Sequence, residues 1–224
     1  MRDLSIVTRT PTPMSDALYD YLLAHGTPPD PVLRALIAET ATLGSESRFQ
    51  VSVDEGAFLH LLTRLAGVRT ALEIGTFTGY SSICIARGLA EGGRLTCLDN
   101  SEEWTGIARR YWDAAGLADR IDLRLGDALD TLRSLPPEPV YDLVFIDADY
   151  LSQSAYWEEV VPRVRPGGVV LVDNVLYHAR VVDPADTADT TEAVRALNDR
   201  IRTDARVEAT MIHIADGLTI ARKV

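Results

Sequence analysis

From Thr70 onward the apolar residues come in short unbroken runs, TALEI, RLTCLD, RIDLRL, YDLVFID and GVVLVD, spaced by segments long enough for a crossover helix. Runs this uniformly apolar belong to strands covered on both faces, so the alternation predicts a parallel sheet with helices on either side. The end of the chain differs: ARVEATMIHI and GLTIARKV are joined only by Ala215-Asp216-Gly217. Asp-Gly between two strand-like runs signals a hairpin, and the last two strands should therefore be antiparallel neighbours. Before Thr70 the apolar positions fall at helical spacing. Ser15 can cap a helix through about His25, and Asp30-Pro31 is an N-cap with proline at the first helical position, opening a helix to about Leu43. Ser52 with Glu55 three residues on has the capping-box spacing, after which Phe58, Leu59, Leu62 and Leu65 repeat with the helical period. GSESRFQVS reads as a loop, and VVDPADTADT (181–190) as a surface loop before a helix ending near Thr203. Residues 1–14, polar and carrying Pro11 and Pro13, read as a mobile arm. The expected architecture is one doubly wound α/β domain of seven strands over 1–224, closed by a C-terminal antiparallel hairpin, with extra N-terminal helices.

A chain of 224 residues buries roughly 70–75% of its unfolded surface and needs no disulfide or structural metal. Cys84 and Cys97 lie inside apolar runs and read as core residues. The net charge of −11 repels phosphate backbones and anionic lipid, which argues against non-specific nucleic-acid or membrane binding. Of the 22 basic residues only Lys223 is a lysine, so chemistry that needs a buried lysine is nearly excluded. No stretch approaches ~18 uninterrupted apolar residues and the N-terminus lacks the apolar core of a signal peptide, so the expected location is the cytoplasm.

Two constellations carry chemistry. The first strand runs into Glu73-Ile74-Gly75-Thr76-Phe77-Thr78-Gly79, where the glycines let the backbone turn and approach a ligand at a helix N-terminus. The dinucleotide fingerprint is not met, because Phe77 stands two after Gly75. Asp99, twenty residues after Gly79 at a strand end, is placed to accept hydrogen bonds from ribose hydroxyls, which together implies a nucleoside ligand without a pyrophosphate. The second constellation is Asp147-Ala148-Asp149 and Asp173-Asn174, each after a strand. Neighbouring parallel strands lie ~4.8 Å apart, so acids at both carboxyl ends converge on one crevice. Singly each aspartate reads equally well as a cap. Jointly, Asp147, Asp173 and Asn174 offer three hard oxygens that suit magnesium or a similar divalent ion.

LEIGTFTGYSS, the acid at Asp99, VFIDAD, PGGVVLVDNVLY and the upstream VSVDEGAFLHLL resemble, in this order, the cation-dependent O-methyltransferases of the caffeoyl-CoA and catechol type, over roughly residues 15–224. The resemblance implies a Rossmann-like methyltransferase fold, S-adenosylmethionine as cofactor, a divalent cation holding two vicinal oxygens of the acceptor, and a homodimer. Its cofactor contacts fall on Val51, Glu73, Gly75, Thr76, Ser81, Asp99 and Ala128, with Asp149 a weaker candidate, and its metal ligands on Asp147, Asp173 and Asn174. Phe49 stands where relatives commonly carry methionine near the methyl-donor sulfur; a core phenylalanine is the alternative. Relatives usually read D-A-D-K, and here Tyr150 replaces that lysine. Either the base has moved, with His178 on the loop that lines the acceptor in relatives as its candidate and a structural loop histidine as the alternative reading, or the metal does most of the activation; Tyr177 beside His178 is placed to touch an aromatic acceptor. The expected reaction methylates one hydroxyl of a catechol-type small molecule. Two alternatives stay open: a carrier- or CoA-bound hydroxyacyl acceptor, with Arg2, Arg48 and Arg180 as its anchors, and a non-catalytic metabolite-binding protein of the same fold.

Overall fold

A computed structural model describes residues 12–224. Seven strands form one sheet: β1 (Thr70–Ile74), β2 (Arg94–Asp99), β3 (Ile121–Leu125), β4 (Tyr141–Ile146), β5 (Val164–Val172), β6 (Val207–Ile212) and β7 (Leu218–Lys223). Their spatial order is β3-β2-β1-β4-β5-β7-β6. The first five are mutually parallel, and β7 inserts antiparallel between β5 and β6. The chain winds outward from β1 to β3, then returns to lay β4 on the other side of β1. That reversal opens a crevice at the carboxyl ends of β1 and β4, the place where open α/β sheets bind ligands.

Side chains alternate across the sheet and build two cores. Ala71, Leu95, Leu143, Phe145 and Leu171 pack under α2 (Pro31–Thr40), α3 (Val53–Leu65), α4 (Tyr80–Gly88) and α5 (Glu102–Ala114). Leu72, Ile74, Leu98, Val144, Ile146 and Val170 face the other layer, which receives Leu132 of α6 (Ala128–Ser134), Trp157 of α7 (Gln153–Val160) and Leu197 of α8 (Asp189–Thr203). Cys84 and Cys97 are buried and unpaired, as their apolar surroundings imply.

Several boundaries differ from the sequence expectation. α1 (Asp16–His25) is capped by Ser15 and α2 by Asp30 as expected, but α2 ends at Thr40. Ala41–Phe49 then continues in 3-10 turns kinked at Gly44 (φ 67°), where a loop was expected for the second half. β5 begins at Val164, ahead of its glycine pair. Five residues, 213–217, separate the final strands, so the hairpin loop is longer than a two-residue Asp-Gly turn. The arm at 1–14 lies almost wholly outside the described residues. Among those described, no helix is long and apolar enough to cross a membrane.

Candidate active site

The carboxyl ends of β1 and β2 build one half of a cleft of about 910 Å³. Gly75 N–H donates to the Leu98 carbonyl (2.9 Å) and Asp147 N–H to the Ile74 carbonyl (2.8 Å), which stitches three strand ends together. Gly75 has φ +88°, and a Cβ there would lie 1.9 Å from the Asp147 carbonyl oxygen, so only glycine lets these chains meet. Gly79 also has φ +88°, yet it serves packing and not ligand approach: its Cβ would stand 2.7 Å from Ala108 Cβ and 2.9 Å from Trp112 Nε1 on α5.

Asp99 stands at the expected strand end, and part of its capacity is taken. Oδ2 accepts from Thr76 and Phe77 N–H, both at 2.9 Å, and Oδ1 from Ser101 N–H at 2.8 Å. A carboxylate offers about four acceptor sites, so the side chain shapes the turn after β1 and retains about one direction, at Oδ1, for a ligand. Val51, Gly75, Thr76, Ser81, Ala128 and Asp149 all reach the cleft wall. Glu73 does not: it is fully buried behind the wall, accepts from Cys97 Sγ (3.3 Å), and burial pushes its carboxyl up to about 7. Asp149 is engaged as a local brace, accepting from Ser152 N–H (2.9 Å) and Tyr156 Oη (2.8 Å). Phe49 is 46% exposed and so is not a core residue; it forms an aromatic cluster in the cleft with Phe77 (ring centroids 5.8 Å) and Trp104 (6.0 Å).

β4 and β5 supply the other half. Asp147 and Asp173 end these adjacent strands, and Asn174, in the left-handed region at φ 58°, folds back on Asp173. Its backbone N–H donates to Asp173 Oδ1 (2.7 Å) and its Nδ2 to Asp173 Oδ2 (2.9 Å), while Tyr150 Oη donates to Asn174 Oδ1 (3.3 Å). Glu55, which the spacing assigned to a capping box, joins this group. Its N–H bonds Ser52 Oγ (3.4 Å), but its carboxylate makes no return bond to the Ser52 N–H, and the Ser52 hydroxyl donates to Asp54 Oδ1 (2.6 Å). The Glu55 side chain turns inward, fully buried, and no donor among the described residues reaches either carboxylate oxygen. Burial and mutual repulsion push Glu55 and Asp147 well above the usual carboxylate range, and burial pushes Asp173 up as well. Among the described residues no arginine or lysine bridges to any of the three. Among the same residues, no three His, Cys, Asp or Glu side chains converge as a ligand set for a metal.

The loop after β5 closes this half. Tyr177, His178 and Ala179 all have positive φ, and Asp216 holds the bend by accepting the His178 N–H on both oxygens (2.8 and 2.9 Å). His178 Nδ1 lies 3.4 Å from Asp216 Oδ2, and its side chain is 76% exposed at the cleft. Tyr177 packs against Tyr150 (ring centroids 4.5 Å) under the Arg180 guanidinium. Arg180 is committed to Asp186 (2.5 Å), while Arg48 sits over Phe49 with no acidic partner among the described residues. Arg2 lies outside them. The stretch 181–190 is less loose than its composition suggests, since Arg195 of α8 binds the carbonyls of Arg180, Val181, Asp183 and Asp186. Asp216 escaped the sequence reading because Asp-Gly already had a sufficient explanation as a turn.

A family model described as O-methyltransferase matches residues 25–224. The chain belongs to the O-methyltransferase family. Among curated members, the probable caffeoyl-CoA O-methyltransferase 1 of Dictyostelium discoideum is 34% identical over 214 residues, covering 94% of this chain and 93% of that one. Catechol O-methyltransferase domain-containing protein 1 of Mus musculus is 35% identical over 215 residues, covering 95% and 82%. The Bacillus cereus O-methyltransferase solved with SAH superposes with a TM-score of 0.85 at 35% identity, covering 93% of this chain and 97% of that one. TomG of Streptomyces achromogenes, solved with SAM, gives a TM-score of 0.85 at 32% identity, covering 92% and 96%. The seven-stranded sheet with its antiparallel C-terminal pair is thus that of Rossmann-like O-methyltransferases.

Proposed function

We propose that this O-methyltransferase takes its methyl group from S-adenosylmethionine and delivers it to one hydroxyl of a small acceptor with vicinal oxygens, of catechol type, beside a divalent cation such as Mg²⁺. One observation carries the reading: a single cleft joins the strand end at Asp99 to two carboxyls, half-buried Asp147 and buried Asp173, that have no cationic partner among the described residues. The donor set fits the ion. Buried carboxyls without counter-charge are costly, and two carboxylates with an amide oxygen suit a hard divalent ion. Asp147, Asp173 and Asn174 would hold it. When bound, it supplies positive charge that acidifies an adjacent hydroxyl and steadies the developing oxyanion.

The chain's own residues do the positioning. Asp99 keeps the turn at Gly75–Phe77 in place and offers its remaining acceptor site to the ribose, with Val51, Thr76, Ser81 and Ala128 along the same wall. Glu73 lies behind that wall as a buried acceptor. Tyr150 has its phenol pushed up by burial, so it does not take a proton at neutral pH; it orients Asn174 and presents a ring with Tyr177 to an aromatic acceptor. His178, exposed at the cleft, takes the hydroxyl proton. Alignment of the acceptor oxygen with the sulfonium methyl then accounts for most of the rate. The chain works as one catalytic unit, as a homodimer in the cytoplasm.

Arg48 favours a second acceptor class, a CoA- or carrier-bound hydroxyacyl group, since it stands at the cleft without an ion-pair partner among the described residues. Calorimetric titration with S-adenosylmethionine, followed by methyl-transfer assays on catechols and on caffeoyl-CoA with and without chelator, tests both. Turnover that survives excess chelator removes the cation; donor binding with no turnover on either class points to a non-catalytic protein.

A further inference from the structure

Glu55 has an orientation that helix formation does not require. At the third position of α3 it could remain in solvent and still favour the positive end of the helix. Instead its side chain is fully buried, lines the cleft, and finds no donor for either oxygen among the described residues. Its strongest charged neighbours are Asp173 and Asp147, and the Asp173 carboxyl lies within hydrogen-bonding reach. Carboxyls that face one another with no donor between them leave a protein destabilised unless a positive species completes the site. Among the described residues these three carboxyls do not converge as direct ligands of one ion.

We infer that Glu55 is a positioning carboxylate of the cation centre, orienting Asp173 and accepting hydrogen bonds from water carried by the ion, and that it raises metal affinity without touching the methyl donor. This rests on the cation reading above. The side chains that hold a ligand from behind are commonly worth as much as the ligand's own geometry, and losing one typically lowers metal affinity about 10–100-fold.

The test is calorimetric titration of the chelator-treated full chain with MgCl₂ or MnCl₂ alone, for the unsubstituted protein and Glu55→Gln, alongside titration with S-adenosylhomocysteine in chelator and thermal melts. The expected result is a metal affinity at least tenfold weaker in the variant, S-adenosylhomocysteine affinity within twofold, and a melting temperature in chelator equal to or above that of the unsubstituted protein. Glu55→Met, of similar length and uncharged, carries the comparison if Glu55→Gln does not fold. A folded variant that binds the ion as tightly as the unsubstituted protein overturns this inference alone. Parallel loss of metal affinity, S-adenosylhomocysteine affinity and melting temperature, or failure of both variants to fold, marks a structural residue and also overturns it. An unsubstituted protein that binds neither ion overturns the cation reading as well.

Discussion

Replacing Gly75 by alanine tests the junction on which both halves of the cleft depend. The new Cβ would begin 1.9 Å from the Asp147 carbonyl oxygen and 2.7 Å from its carbonyl carbon, distances that no side-chain rotation relieves because both atoms are backbone. A side chain at φ +88° adds roughly 1–2 kcal/mol of strain by itself. Pushing the β4 end away is an overpacking event of roughly 1–3 kcal/mol. It also stretches the Asp147 N–H bond to Ile74, worth about 1 kcal/mol. A total loss of about 3–6 kcal/mol would lower the melting temperature by roughly 6–24 °C at 2–4 °C per kcal/mol for a chain of this size. Because the displaced segment carries Asp147, the folded fraction should also show weakened metal binding. Thermal melts followed by circular dichroism, with calorimetry at low temperature, read both effects. A melting temperature within 2 °C of the unsubstituted protein would refute the steric account of this glycine.

Asp99→Ala removes the acceptor for three backbone N–H groups and its share of the ribose, so affinity for S-adenosylhomocysteine should fall by ~2–4 kcal/mol in a calorimetric titration; unchanged affinity removes the assignment. Glu73 is protonated more readily in the fold than in the unfolded chain, so its stabilising contribution is full below about pH 4.3 and disappears as pH rises through about 7. Melts in chelator should therefore show stability declining from pH 5 to 8, and Glu73→Gln should flatten the decline by an amount on the order of 3 kcal/mol; an equally steep profile contradicts the burial argument. His178→Ala should cut turnover at pH 7 by about 10²-fold with partial recovery at higher pH, and activity equal to the unsubstituted protein across pH 6–9 would eliminate the histidine as base. Tyr150→Phe loses one 3.3 Å bond and keeps its ring against Tyr177, so its cost should stay near 1 kcal/mol in kcat/KM.

The sheet and the strand-end acids were legible in the sequence because both are written locally. Uniformly apolar runs identify β1 to β4 nearly to the residue, and Asp30-Pro31 and Ser15 announce their helices by side-chain chemistry that acts within three positions. Glu55 was not legible, since the same spacing that suggests a capping box gives no sign that its carboxylate will leave the Ser52 N–H and turn inward to the cleft. The role of Gly79 depended on Ala108 and Trp112, thirty residues away and on another helix. The work of Asp99 inside its own turn, and of Asp216 under His178, likewise exists only once separate loops are brought together.

The place of β7 has a consequence for how this protein comes into being. Leu218–Lys223 fills the slot between β5 and β6, so a chain emerging from the ribosome presents β5 with an open edge until β7 itself has been made. Until then the unpaired N–H and C=O groups of β5 are available to other nascent chains. Loss of Leu218–Lys223 would leave that edge open permanently.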